Sequence, residues 1–353
     1  MGWGIRSMTP LIKSEASHTP RIDEIVPNTA LPGGEIEVLG SNLGPISYRR
    51  PVAMVGDLAA PVLLSRGKRM VLRVPEEAES GTLRILQNGA QSNAVKVKVG
   101  SMIANGVHIV ANPAVDGDGN IYVTLSGSRG QETPVSVFRI ERDGEMRPFV
   151  SGIMNATGLA TDDVGNVYVS SRQEGTVYRV TPAGAASVYA EGMGVATGIA
   201  FDAEGNLYVG DRSGTIFKIA PDRQIFVFAT LEPSVAAYHL AFGIDGTLFV
   251  TGPTTSSYDN VYAIDRDGAT TVFYRGLGRP QGLAVDIAGS VYVAASLGGK
   301  RGIVRISQPN EAQLAVAGSG MVGFTFIRGG NALVATNNAV YHVALGIEGL
   351  RVP

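Results

Sequence analysis

The stretch Gly198-Ile-Ala-Phe-Asp-Ala-Glu-Gly-Asn-Leu-Tyr-Val209 decides how the chain is to be read. An apolar run leads in, Asp202 and Gly205 mark a tight turn, and a β-rich run through Tyr208 leads out. Asp can bond its own backbone in such a turn, and Gly can take positive φ. The same phrase stands at 114–123, 158–169, 240–250 and 282–293, with a worn copy at 323–334.

The turn glycines are Gly119, Gly165, Gly205, Gly246, Gly289 and Gly330, spaced by 46, 40, 41, 43 and 41 residues. A repeat of about 42 residues is the length of one four-stranded β-propeller blade. Residues 101–353 hold six such periods, matching the six copies. A third strand follows each copy, at 137–140, 177–180, 216–219, 261–264, 304–306 and 340–343. In each, apolar residues alternate with more polar ones, as a strand with one wet face requires. Helical periodicity is absent. The outer strand of the last blade is open between 350–352 and the segment near Met102.

Residues 19–99 form a second unit. Glu35-Ile-Glu-Val38 and Val95-Lys-Val-Lys-Val99 alternate strictly, and Asn88-Gly89 between apolar runs signals a hairpin. The fold expected is therefore all-β: an immunoglobulin-like β-sandwich over 19–99, then a six-bladed β-propeller over 100–353, behind a loose N-terminal tail at 1–18.

Three resemblances sharpen this. Pro280-Gln-Gly-Leu-Ala-Val-Asp286, Gly289 and Val291-Tyr-Val-Ala294 resemble the NHL repeat. The whole array resembles the senescence-marker/gluconolactonase group of six-bladed propellers. The leader, through Pro20–Pro27, Gly33–Gly40, Asn42-Leu-Gly44 and the motifs after them, resembles the IPT/TIG domain. Such leaders act mostly as spacers or contact modules. The propeller families include hydrolases, lyases and binding scaffolds, so the resemblance implies architecture and leaves chemistry to the site.

Composition narrows the chemistry. Lys plus Arg is 29 and Asp plus Glu is 31. The chain lacks the basic surplus that nucleic acid or an anionic membrane would demand. There is no cysteine, which excludes disulfides, thiolate metal sites and a Cys nucleophile. No window reaches the length of a membrane span, and residues 1–18 hold no apolar run of a secretory signal. The cytoplasm is the default expectation, with an extracytoplasmic place open if translation starts elsewhere. A monomer is expected.

Propeller sites gather at the mouth, where inner strands begin and second strands end. Counting back from the turn glycines puts Ala111, Thr157, Thr197, Tyr238, Gln281 and Val322 at the inner-strand entrances, with Asn112 and His239 one residue further in. The second-strand exits carry Ser171-Arg172, Asp211-Arg212, Thr251, Ser296 and Asn337-Asn338. The expected ligand contacts are Asn112, Thr157, Arg172, Thr197, Asp211, Arg212, Tyr238, His239 and Gln281. His239 reads either as a base or ligand contact near Tyr238, or as a buried channel histidine. Arg172, Asp211 and Arg212 would give a polar, partly cationic rim suited to an anionic or sugar-like ligand. Asp116, Asp162, Asp202 and Asp286 lie on the opposite face and read as hairpin residues.

The resemblance to gluconolactonases implies a divalent cation held at the mouth by carboxylates and Asn. A cation such as Ca²⁺ takes six to eight oxygens, usually with carboxylates among them. No Asp or Glu stands at any inner-strand entrance. No Gly-x-Ser-x-Gly elbow and no phosphate-loop pattern occurs either. The expectation is a non-catalytic recognition module with no cofactor or metal, binding a small polar ligand, glycan or peptide. The alternative is a metal-dependent, lactonase-type hydrolase with an altered site. A structural role through edge strands is a third reading.

Overall fold

The computed structural model describes residues 19–46 and 48–350, and the tail expected at 1–18 lies outside them. Among the described residues every regular element is a strand and none is a helix. The first four repeats each fold into a separate antiparallel sheet of four strands. The first holds Ala114–Val115, Ile121–Thr124, Val137–Ile140 and Met146–Val150. The second runs from Ala156–Thr161 to Ala186–Ala190, the third from Ala196–Phe201 to Ile225–Thr230, and the fourth from His239–Phe242 to Thr270–Leu277. The fifth runs from Leu283–Val285 to Glu311–Ala317.

The recurring Asp fixes the first turn of a unit. Asp116 Oδ1 accepts the Asn120 backbone N–H at 2.9 Å, and Oδ2 accepts the Tyr122 hydroxyl at 3.0 Å. Asp162, Asp202 and Asp286 repeat the backbone bond at 2.8 Å. The six turn glycines have φ between 70° and 86°, which a side chain would resist. These aspartates are hairpin residues, as the sequence indicated. The tyrosine closing the turn also joins one unit to the next. Tyr168 meets Phe201 edge-on at 4.8 Å, and Tyr208 meets Phe242 at 5.0 Å.

The sixth unit contains Met321–Ile327, Asn331–Thr336 and Ala339–Ala344. Its fourth strand is Ser101–Asn105, paired antiparallel with Ala339–Ala344. The first strand after the leader thus closes the last unit, which settles the choice the sequence left open. Leu350 does something else: its N–H donates to the Val285 carbonyl at 2.8 Å. The sixth unit also meets the first, where Thr325 Oγ1 donates to the Pro113 carbonyl at 2.7 Å.

The leader has two sheets. One orders Arg21–Val26, Glu35–Ser41, Arg69–Arg73 and Val62–Arg66; the other carries Val95–Val99, Gly81–Gln87, Val52–Val55 and Leu58–Ala60. Alternation turns Ile36, Val38, Met70 and Leu72 of the first sheet, and Ala53, Val55, Leu83, Ile85 and Val97 of the second, into one buried cluster. Asn88 and Gly89 both have positive φ and make the hairpin between Gly81–Gln87 and Ala90–Gln91.

The two parts are not beads on a string. The two-residue strand Thr29–Ala30 pairs in parallel with Val95–Val99 on one side and, through Ala30, with Ala317 of the fifth unit on the other. One ten-stranded sheet therefore runs from the fifth unit into the leader. Leu31 N–H donates to the Ala317 carbonyl at 2.8 Å, and its side chain is buried among Val316, Met321 and Val343. A Cβ on Gly34 would stand 2.5 Å from that same carbonyl, so only glycine permits this approach. Lys300 of the fifth unit also pairs with Glu37 of the leader.

Candidate functional site

The expected entrance residues lie within three positions of the observed inner-strand starts, and they are followed by Asn112, Gly158, Gly198, His239, Gly282 or Gly323. The four glycines mark a pinch. A Cβ on Gly158 would overlap the Thr197 carbonyl oxygen, and one on Gly198 the Tyr238 carbonyl oxygen. Gly198 N–H donates to that Tyr238 carbonyl at 2.9 Å, and Gly282 N–H to Val322 at 3.0 Å. Neighbouring inner strands thus touch backbone to backbone at this level.

The structure brings the expected side chains to this end and gives most of their polar groups an internal partner. Asn112 Nδ2 donates to the Leu283 carbonyl at 2.7 Å, while its Oδ1 accepts Phe324 N–H at 3.0 Å. One side chain thereby ties the first unit to the fifth and sixth. Thr157 Oγ1 donates to Asn155 O at 2.9 Å. Thr197 Oγ1 donates to Gly210 O at 2.7 Å and accepts Tyr238 N–H at 3.1 Å. The Tyr238 hydroxyl donates to the Glu232 carbonyl. Asp211 accepts Val195 N–H at 2.8 Å and the Ser213 hydroxyl. Thr157, Thr197, Asp211 and Tyr238 are buried, and Gln281 is partly exposed.

His239 is only 2% exposed, and its Nε2 has no hydrogen-bond partner. Burial pushes its pKa down to about 4, against a smaller opposing effect from the Gln281 side chain. The ring is neutral at pH 7.

Arg172 and Arg212 differ from the rest. Arg172 donates to Gly127 O at 2.9 Å, and Arg212 to Val235 O at 3.1 Å. Among the described residues neither has a carboxylate within ion-pair distance. Burial lowers the pKa of the half-buried Arg172, and the positive field of Arg212 adds to that. Two cations stand near each other with only carbonyl oxygens for partners.

A cavity of about 870 Å³ lies toward the Asp-turn end of the inner strands, where sequence reasoning did not look. Leu159, Ile199, Leu240, Leu283 and Phe324 line it, with Asp116, Asp162 and Leu350. The glycine that follows four of the six entrance residues was the available signal. It closes the strands at one end, and the larger residues further along hold them apart.

The donor set does not fit the cation that gluconolactonase-like architecture implies. Asn112 and Asp211 have their oxygens committed to the fold. Among the described residues no three His, Asp or Glu side chains stand together as ligands. A hard cation with six to eight oxygens would find hydroxyls already bonded and no converging carboxylates.

No known family's sequence model matches the chain, and no curated protein matches its sequence. Solved structures do. An auxiliary nutrient binding protein from Bacteroides thetaiotaomicron superposes with a TM-score of 0.55 at 11% identity, over 92% of this chain and 97% of its own. A gluconolactonase from Xanthomonas campestris gives 0.54 at 16% identity, over 69% and 88%. Virginiamycin B lyase from Staphylococcus aureus gives 0.51 at 13%, over 88% and 98%. At these identities the likeness is one of fold. The chain has an all-β, propeller-like fold, similar to that of gluconolactonases and of nutrient-binding proteins.

Proposed function

We propose that residues 100–353 are a six-bladed, NHL-like propeller, that 19–99 are an immunoglobulin-like domain of the IPT/TIG kind, and that together they form a non-catalytic recognition module for a small polar ligand. Six four-stranded units, the closing strand Ser101–Asn105 and the contact between first and last units support the ring. Two facing sheets with one buried cluster support the sandwich.

The observation that carries the function is the arginine pair. A cation withdrawn from water without a carboxylate is costly unless something neutralises it. Arg172, half-buried beside Arg212, suits an anionic or sugar-acid ligand, which a planar guanidinium can hold through two parallel bonds. The likeness to a nutrient-binding protein agrees with this reading.

Isothermal titration with gluconate tests it. Binding should weaken at least tenfold in Arg172→Ala and in Arg212→Ala, and glucono-lactone hydrolysis should stay at background with or without EDTA. A stoichiometric bound cation together with EDTA-sensitive hydrolysis would overturn the reading in favour of the lactonase class.

A further inference from the structure

The seam between leader and propeller holds a second cavity, of about 610 Å³, away from the arginine rim. That volume lies within the usual range of small-molecule pockets, roughly 300–1,000 Å³. Three parts of the chain build it. The leader gives 31–35, Arg73 and Glu76; the fifth unit gives Lys300 and Arg301; the sixth gives Asn337, Asn338 and Tyr341.

Most charged side chains here have a partner. Arg73 pairs with Glu35 at 2.9 Å, and Lys300 contacts Glu37 behind the wall, a carboxylate that Arg69 also contacts. Two charges remain. Among the described residues, neither Glu76 of the leader nor Arg301 of the fifth unit has an ion-pair partner. Tyr341 lies within reach of the first: burial raises its pKa, and the negative charge of Glu76 adds to that. The walls are also held firmly. The Ala30–Ala317 strand pairing, the Leu31–Ala317 hydrogen bond and the buried Leu31 side chain fix the two sides relative to each other.

We propose that this cleft binds a small zwitterion, an amino acid or short peptide with free ends, its ammonium group on Glu76 and its carboxylate on Arg301. The cleft offers one unpaired charge of each sign, from opposite sides of a rigid seam. A purely anionic ligand would meet Glu76 as a repulsive neighbour. A neutral sugar would leave both charges without a counterion. The hydroxyl of Tyr341 and the amide of Asn337 would complete the contacts to the peptide's polar atoms.

The test is titration of the full chain with alanyl-alanine, with the same dipeptide acetylated and amidated, and with glucuronate. The free dipeptide should bind with a Kd of about 1 mM or tighter, a range typical of small ligands with few contacts. Blocking its ends should weaken binding at least tenfold. Glu76→Gln and Arg301→Ala should each do the same while leaving Tm unchanged, because both side chains are exposed. Arg172→Ala at the rim should have no effect, which separates this site from the one proposed above. The inference is overturned if the free dipeptide does not bind, if either cleft substitution leaves its affinity intact, or if glucuronate binds in its place without sensitivity to Glu76→Gln.

Discussion

His239 shows how one residue reports on its surroundings. Its folded pKa of about 4 lies below the ordinary 6.5, because burial penalises the charged ring. Above pH 6.5 the ring is neutral folded or unfolded, and folding meets no penalty from it. As pH falls from 6.5 toward 4 the unfolded chain takes up the proton and the folded one does not, so stability drops. The full loss is on the order of 3 kcal/mol. Chemical denaturation of the wild type at pH 7.5 and at pH 4.5 should show it, and His239→Gln should flatten that interval. A parallel curve for the variant would mean that His239 titrates freely. Glu37 works in a lower window. The hydrogen bond from Arg69 is the largest influence on it and that from Lys300 the next favourable one; despite burial, its carboxyl sits at about 2. The seam pair therefore weakens only as pH falls below the usual carboxylate range near 4.5. Gly198 is a second informative residue. Replacing it with Ala would press a methyl group onto the backbone oxygen of Tyr238, which cannot swing away. A loss of about 1–3 kcal/mol is expected from such overpacking. Gly67→Ala is the control, with open space around the added carbon. Equal Tm values for the two variants would contradict the pinch.

Among elements, the inner strands show what could be read in advance and what could not. The Asp-Gly turns were legible because their hydrogen bonds close within four residues, as from Asn120 to Asp116. The third strands were legible because Val177-Tyr-Arg-Val180 and its kin alternate. Leu58–Ala60 and Val62–Arg66 were not, since short strands of mixed polarity carry no clear period. Counting from the turn glycines falls within three positions of the observed inner-strand starts. That Thr157, Thr197 and Tyr238 would turn their polar atoms onto nearby backbone depends on how closely adjacent strands approach, and no single strand encodes that distance. The missing carboxylate partners of Arg172 and Arg212 were equally invisible. Asn112 makes the element-scale prediction. It bonds the fifth and sixth units from the first. Asn112→Ala would leave the Leu283 carbonyl and Phe324 N–H without those partners, at about 1–3 kcal/mol for each group. Hydrogen exchange should then quicken in Ser101–Asn105 and Met321–Ile327 before it does in the third unit. Uniform quickening across all units would show that Asn112 is not a local tie.

Over the whole molecule, the decisive feature is the sheet that leader and propeller share. Sequence suggested two domains meeting at residues 99 and 100, and nothing in either repeat announced that Thr29–Ala30 would pair with a strand 287 positions away. A two-residue strand has no period to read, and its partner is set by the docking of finished surfaces. If that docking is structural, the leader and the fifth unit should lose structure together, because a continuous sheet and a buried Leu31 couple them. Removing residues 1–99 would uncover the Ala317 end of the strand Glu311–Ala317 and the apolar pocket of Val316, Met321 and Val343 that Leu31 fills. An uncovered strand edge next to apolar surface invites pairing with another chain. The shortened protein should therefore melt several degrees lower and associate as its concentration rises, whereas the full chain should melt in one transition. Calorimetry and light scattering on the two forms decide this. A full chain with two separated transitions, and a shortened one that stays monomeric with the second of them unchanged, would make the leader a passive neighbour. A seam that fails this test would also deprive the zwitterion cleft of its fixed geometry, since Glu76 and Arg301 face that cavity from opposite sides of it.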